Sequence, residues 1–322
     1  MIEAETIIVG GGPAGSAAAM ELRRAGREVL ILDKSDFPRV KLCAGWVTPK
    51  VFSLLKVSPE EYPHGIIKFD KLHYDFGKFR LPVKTVQYSV RRYEFDVWLH
   101  SLAGAPLEKH KVENIEFRNG YYVLDDKYKS RYLIGAGGTY CPVYRKFFAE
   151  INPRAIENKI VAIEEEFPYE WQDDRCLLWF GDLKLRGYAW YVPKANNHIN
   201  IGLGGTYYGL RREGLNIKYY WKKFTEKLIA LGLVENREFN GKGYSYFLRS
   251  NVAKIRRDNA FIVGDAVGLA TLDMGEGIAP AIESGLLAAR AIAYGENYSV
   301  AKIARYSFPA ILFAKKYFLA SE

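Results

Sequence analysis

The 322-residue sequence predicts an α/β chain (α+β overall), in which a Rossmann-like domain is split by an inserted antiparallel sheet. Two observations carry that fold class. Strand–helix–strand patterning appears at both ends of the chain, while short strands separated by turn residues fill its middle. A glycine-rich turn with a trailing acid near the N-terminus is matched far along the chain by Gly264-Asp265, so the two ends together suit one extended dinucleotide.

The first unit is legible residue by residue. Ile7, Ile8 and Val9 form an apolar β-branched run, the pattern of a buried parallel strand. Gly10, Gly12 and Gly15 follow at G-x-G-x-x-G spacing: one for the tight turn, one for close approach to pyrophosphate, one for helix–strand packing. Ala17, Ala18 and Ala19 continue a helix that Gly26 ends. A second apolar strand, 29–32, delivers Asp33 where a ribose hydroxyl is met. A glycine turn between unrelated elements would leave Asp33 unexplained.

Residues 34–50 read as a loop, with Pro38 and Pro49 as breakers. Residues 66–90 alternate in the manner of antiparallel strands, with turns near Gly77 and Pro82. Helical spacing covers 92–99, and 112–124 reads as a hairpin turning at Asn119-Gly120. A buried strand, 132–136, ends in glycines. The stretch 160–208 is strand-rich (161–167, 177–180, 189–192 and 198–203), and a helix is predicted over 217–231. The strand 261–263 leads through Gly264-Asp265 and a loop with Gly275, Gly277 and Pro280 into an alanine-rich helix over 279–294. The expected division is a discontinuous FAD-binding domain (1–62, 91–150 and 250–296), a substrate domain (63–90 and 151–249) and a C-terminal helical tail (297–322).

Composition narrows the class. With 49% hydrophobic residues, 15% aromatics and 23 tyrosines, the chain is globular. No apolar run is long enough to span a bilayer, and the opening strand leaves no signal peptide, so a cytoplasmic protein is expected. Cys43, Cys141 and Cys176 lie far apart without C-x-x-C pairing, which fits a reducing compartment. The five histidines show no metal spacing, so no metal site is expected. The net charge of +9 comes without a nucleic-acid recognition motif, so no nucleic-acid partner is expected.

Gly10-x-Gly12-x-x-Gly15, Arg92-x-x-Phe95-Asp96, Gly135-Ala136-Gly137-Gly138 and Gly264-Asp265, in that order, resemble flavoproteins of the p-hydroxybenzoate hydroxylase fold. Lys41-Leu42-Cys43-Ala44-Gly45 and Gly187-Tyr188-Ala189-Trp190-Tyr191-Val192-Pro193 look like segments of the geranylgeranyl reductase family, the second being similar to its Y-x-W-x-F-P motif. The resemblance spans most of the chain and implies FAD as cofactor. Under it, Gly10, Gly12, Pro13, Ala14 and Gly15 hold the pyrophosphate, with Asp33 and Lys34 at the adenosine ribose. Arg92 reaches the cofactor, and Gly264 with Asp265 meets the ribitol. Gly275, Gly277 and Ile278 set helix-end amides near the flavin pyrimidine, where charge grows on reduction. Gly137, Gly138, Cys43, Ala44 and Gly45 complete the implied cofactor contacts. Cys43, Trp190 and Tyr188 are the implied catalytic group, with Cys43 either giving a proton or shaping the site.

Three departures stand out. Gly137 replaces the aspartate usual in the middle motif, Val192 replaces phenylalanine, and many relatives carry a longer C-terminal portion. A single G-x-G-x-x-G unit leaves the reductant external, whether NAD(P)H or ferredoxin. The implied activity is reduction of prenyl (geranylgeranyl-type) double bonds in a lipid, quinone or pigment precursor. The alternative is a flavin-dependent monooxygenase or halogenase of the same fold; a third reading is a flavoprotein whose FAD serves structure or non-redox chemistry. The tail beyond Tyr298 mixes basic and aromatic residues, which suits either peripheral membrane contact or packing on the flavin domain, with Pro309 as a kink.

Overall fold

The computed structural model describes residues 1–77, 79–212 and 216–307, the side chains of Leu183 and Arg212 aside. Two eight-stranded sheets organise them. The first runs in the order Arg256–Arg257, Ala260–Ile262, Tyr128–Gly135, Ile2–Val9, Val29–Asp33 and Leu107–Lys109, with the hairpin Ile115–Arg118 and Tyr121–Leu124 beside Tyr128–Gly135. From Ala260–Ile262 to Leu107–Lys109 all neighbours are parallel. Ile7, Ile8, Ile31, Leu32, Leu133, Ile134 and Phe261 are fully buried, as strands covered on both faces require. Helices Pro13–Arg24 and Ile278–Tyr294 cross at near backbone contact: a Cβ on Gly285 would lie 2.2 Å from the Ala14 carbonyl oxygen. The hairpin turns at Asn119 and Gly120, both left-handed (φ 52° and 83°), so the twist of the turn matches that of its strands.

The second sheet runs Lys242–Phe247, Lys159–Pro168, His198–Thr206, Gly187–Lys194, Cys176–Phe180, Ile67–Asp75, Arg80–Ser89 and Trp46–Val47. It is antiparallel except where Cys176–Phe180 meets Ile67–Asp75. Period-two alternation gives it two distinct faces. One carries Ile163, Trp179, Tyr191, Ile201 and Leu203 against helix Ile217–Ala230. The other presents Ala162, Leu178, Phe180, Tyr188, Trp190 and Val192 toward Trp46 and Met274.

Two prolines were misread as turns or breaks. Pro82 lies inside strand Arg80–Ser89, opposite His73, on a strand whose other neighbour pairs only at Tyr88 and Ser89; its missing N–H therefore costs no ladder bond. Pro49 opens helix Pro49–Leu55 at its first position, where an N–H has no intrahelical partner anyway. The predicted loop 34–50 also contains the short strand Trp46–Val47. The expected helical tail is not helical over 297–307: Tyr298, Val300 and Ile303 are buried there, and Tyr298 donates to the Ile262 carbonyl. Residues 308–322, including Pro309, lie outside the described residues.

Candidate active site

At the N-terminal turn, Asp33 is buried, accepting the Gly11 N–H at 2.8 Å on Oδ2 and the Ser35 N–H at 2.9 Å on Oδ1. Lys34 is exposed at the strand end. The turn has no room for side chains: a Cβ on Gly15 would fall 1.9 Å from the Gly10 carbonyl oxygen, and one on Gly10 would fall 2.4 Å from that of Ala136. Arg39 Nη2 lies 3.5 Å from where a Cβ on Gly12 would stand and 3.4 Å from Asp96, and its buried Nε has no hydrogen-bond partner. Arg92 grips Asp96 through two bonds of 2.7 and 2.9 Å and also faces the Cys43 thiol. Two guanidiniums share one carboxylate, so the turn sits beside net positive charge. A bare backbone cradle, adjacent cation and buried acid are the donor set an FAD pyrophosphate and ribose require, and the residues fit the group.

The C-terminal half of this site is held from outside. Arg154 donates to the carbonyls of Asp265 and Ala266, at 3.2 and 2.8 Å, fixing the turn that starts at Gly264. Asp265 Oδ1 lies 3.5 Å from the position of a Cβ on Gly277. Glu276 accepts the Ala279 N–H at 2.9 Å at the start of helix Ile278–Tyr294, and burial pushes its carboxyl up to about 7. Gly137 is exposed, and Gly138 opens a short turn whose Thr139 reaches the Ser245 carbonyl on the second sheet.

The Cys43-Ala44-Gly45 turn lies where the two sheets meet. Gly45 is left-handed (φ +67°), and a Cβ there would stand 2.2 Å from the Val90 carbonyl oxygen and 2.5 Å from Lys194 Nζ. Lys194, fully buried, donates to the carbonyls of Ala44 and Val90. Burial pushes its ammonium down, while Glu166, Cys43 and Glu164 push it up. Cys43 itself is half-buried, and its Sγ accepts the Gly45 N–H at 3.4 Å. Cys141 and Cys176 are fully buried, with burial pushing the Cys176 thiol up to about 12.

Behind Cys43 stands the aromatic face of the second sheet. Trp190 and Tyr188 are both buried, with Tyr188 beside Trp46 and Phe180. Their polar atoms are committed: Trp190 Nε1 donates to Asn200 Oδ1 at 2.7 Å, and Tyr188 Oη to the Met274 carbonyl at 2.6 Å. Gly202 makes this possible, because a Cβ there would meet the Trp190 ring at 2.3 Å and Glu164 Cβ at 2.7 Å.

Glu164 was not singled out in the sequence. Its Oε1 accepts the Cys43 N–H at 2.5 Å and lies 3.5 Å from Asn200 Nδ2; its Oε2 accepts from Tyr244 at 3.2 Å. Burial pushes its carboxyl up to about 7, against the opposing pull of Cys43, Asn200, Tyr244 and Lys194. Lys194, Asn200 and Arg39 were missed as well, while Tyr244 counted only among the aromatics compatible with a cavity wall. The available signal was the acidic run Glu164-Glu165-Glu166 inside the predicted strand 161–167.

A model of NAD(P)-binding Rossmann-like domains matches residues 8–41. An uncharacterized protein of Methanosarcina barkeri is 32% identical over 89% of this chain and 74% of its own length. Digeranylgeranylglycerophospholipid reductase 3 of Methanosphaera stadtmanae is 27% identical over 95% of this chain and 82% of its own. Menaquinone reductase of Mycobacterium tuberculosis is 25% identical over 93% and 82%. The chain belongs to the geranylgeranyl reductase family.

As a member of that family it is an oxidoreductase with the FAD-binding fold. The crystal structure of a geranylgeranyl bacteriochlorophyll reductase-like protein of Thermoplasma acidophilum superposes with a TM-score of 0.78 at 21% identity, covering 91% of this chain and 78% of that one. The flavin-dependent halogenase CmlS shares the fold with a TM-score of 0.71 at 21% identity, over 91% and 58%. Both likenesses speak to the fold alone. Among the described residues no group of three or more His, Cys, Asp or Glu is placed to hold a metal ion, and no helix is long and apolar enough to cross a membrane.

Proposed function

We propose that this reductase saturates prenyl double bonds in the isoprenoid chain of a lipid or quinone, in a pocket formed between the Cys43–Gly45 turn and the aromatic face of the second sheet. The observation that carries the reading is the meeting of that face with the half-buried Cys43, beside the Arg92–Asp96 pair of the cofactor end. FAD, once reduced, supplies hydride; the chain supplies position and charge. Gly10, Gly12 and Gly15 with Arg39 would hold the pyrophosphate, Asp33 the adenosine ribose, and Gly264, Asp265 and Gly275–Ile278 the flavin end. Lys34, exposed, contributes charge at most. Tyr188 and Trp190 act as wall: their polar atoms are bonded elsewhere, and their π faces suit both an apolar chain and the positive charge that develops on a tertiary carbon. On this reading the first sheet belongs to a discontinuous FAD-binding domain and most of the second to a substrate domain, with Trp46–Val47, from within 1–62, pairing in the second sheet; the reductant comes from outside the chain.

The test is to reduce the FAD-loaded protein with dithionite under anaerobic conditions and add a digeranylgeranylglycerophospholipid or a menaquinone. The expected product gains about two mass units per saturated bond, with flavin colour returning in step. No mass gain with either lipid would sink the reading. Oxygen or halogen appearing in a product under air would favour the monooxygenase or halogenase alternative instead.

A further inference from the structure

Among the described residues, Glu164 is the carboxylate most enclosed by the pocket face, only 2% exposed, and no role for it follows from cofactor binding. Three separate elements converge on it. The Cys43 turn gives it an amide N–H, strand His198–Thr206 gives it Asn200, and strand Lys242–Phe247 gives it the Tyr244 hydroxyl. It also stands next to Trp190, since both crowd Gly202. A surface salt bridge would look different: among the described residues no cation is bonded to this carboxylate. Lys194 influences it but spends its bonds on the Ala44 and Val90 carbonyls.

We propose that Glu164 is the proton-holding group of this pocket, fixing the Cys43 turn through its amide and feeding the pocket with a proton through Tyr244. The inference rests on the reading of the pocket given above. The transfer is balanced: as Tyr244 gives its hydroxyl proton outward, the Glu164 acid proton passes from Oε2 to Tyr244 Oη. This leaves a carboxylate that is reprotonated from water before the next turnover. The bond between Oε2 and Tyr244 serves either direction, and Asn200 and the Cys43 N–H steady the carboxylate left behind.

The setting supports this. Burial brings the Glu164 acid close to neutral, so that it can both keep and release its proton near pH 7. The ionisable groups facing it are Cys43 from the turn, Lys194 from strand Gly187–Lys194, and Tyr244 and Tyr246 from strand Lys242–Phe247. Burial pushes both phenols up, so they stay protonated across the same range. A tyrosine in that state carries a proton onward without becoming a charge store itself.

Two measurements on FAD-loaded protein test the idea. The first needs no lipid: Cys43 alkylation by iodoacetamide is followed against pH by peptide mass spectrometry, with the buried Cys141 and Cys176 as internal controls. Glu164→Ala removes the acceptor of the Cys43 N–H, so the turn should loosen and expose the thiol. Alkylation at pH 7.5 should therefore rise roughly tenfold, as local opening of the turn becomes easier. The second is single-turnover reoxidation of the reduced protein by prenyl lipid. Wild type should slow above pH 7 with a one-proton slope; Glu164→Gln and Tyr244→Phe should both lose about 100-fold below pH 7 and lose the slope. A residue needed only for packing would lower the rate at every pH and keep the slope. Wild-type alkylation in Glu164→Ala together with the wild-type slope in Glu164→Gln would overturn the proposal. If no lipid reoxidises even the wild type while the alkylation rise appears, the substrate reading fails and the coupling of Glu164 to the Cys43 turn stands.

Discussion

Tyr188 donates its hydroxyl to the main-chain carbonyl of Met274 across 2.6 Å, tying a central strand of the second sheet to the loop in front of helix Ile278–Tyr294. Tyr246 closes on the same loop, since its hydroxyl would stand 2.3 Å from a Cβ on Gly275. The aromatic face of the second sheet and the loop in front of helix Ile278–Tyr294 thus share one fastening, and a change on either side is felt by the other. Replacing Tyr188 by Phe removes one buried hydrogen bond and leaves the Met274 carbonyl unpaired, for an expected loss of about 1–2 kcal/mol. Urea unfolding measures that loss. FAD titration of the same variant should show weaker binding; unchanged affinity would mean that the loop is held without Tyr188.

Gly202 leaves space that two neighbours use. Gly202→Ala places a Cβ 2.3 Å from the Trp190 ring and 2.7 Å from Glu164 Cβ, and overpacking of this kind costs about 1–3 kcal/mol. Gly243→Ala on the neighbouring strand is the control, since its nearest contact would be the Ala162 carbonyl oxygen at 3.7 Å. The expected result is a lowered unfolding midpoint and altered tryptophan fluorescence for the first variant alone. Equal effects from both would contradict the assigned packing.

Glu164 should make stability depend on pH in a definite direction. Its carboxyl rises from an ordinary 4.5 to about 7 on folding, so the folded state keeps a proton that the unfolded chain has already lost. Its contribution is full below pH 4.5 and fades as pH rises, reaching a deficit of roughly 3 kcal/mol above pH 7. Glu164→Gln lacks this dependence. The difference in unfolding free energy between variant and wild type should shift in the variant's favour by up to that amount between pH 4.5 and 8. A constant difference across this window would show that the carboxyl titrates in its ordinary range.

Lys194→Met would strip the donor from two buried carbonyls, those of Ala44 and Val90. Leaving such groups unpaired costs about 1–3 kcal/mol, and the Cys43 turn should loosen. Faster Cys43 alkylation is expected at a fixed pH, followed by peptide mass spectrometry. Protection identical to wild type would mean that Lys194 does not hold the turn.

Loss of the Asp33 carboxylate should weaken cofactor binding. Asp33→Ala deprives the Gly11 N–H of its acceptor and removes the acid proposed to meet the adenosine ribose. An FAD affinity loss of at least about tenfold is expected, equivalent to one hydrogen bond to a charged group. Equilibrium dialysis measures it directly.

The glycine turn and Asp33 were legible because their partners are close in sequence and backbone geometry leaves few residues able to serve. The prolines misled for a related reason. A helix start and an open strand edge tolerate proline as readily as a turn does, and local sequence does not distinguish them at Pro49 and Pro82. Tyr188 and Trp190 were visible through motif resemblance, but not the fact that their polar atoms are spent inside the wall. Glu164 was invisible as a site residue for a physical reason. Its partners Asn200, Tyr244 and Cys43 lie 36, 80 and 121 residues away, so only the assembled sheet brings the four together.

The sheet order also governs what a growing chain can complete on the ribosome. Strand Ile2–Val9 emerges first yet finds its neighbour Tyr128–Gly135 more than a hundred residues later, and that strand waits in turn for Ala260–Ile262. Until then the nascent chain shows an open parallel edge flanked by apolar residues, the kind of surface that sticks to other chains. Ribosome-stalled chains exposing 250 residues should be more easily cut by protease in the first sheet than those exposing 275. The strand that leads into the Gly264-Asp265 turn would then also be the one that covers this edge and ends its exposure during synthesis.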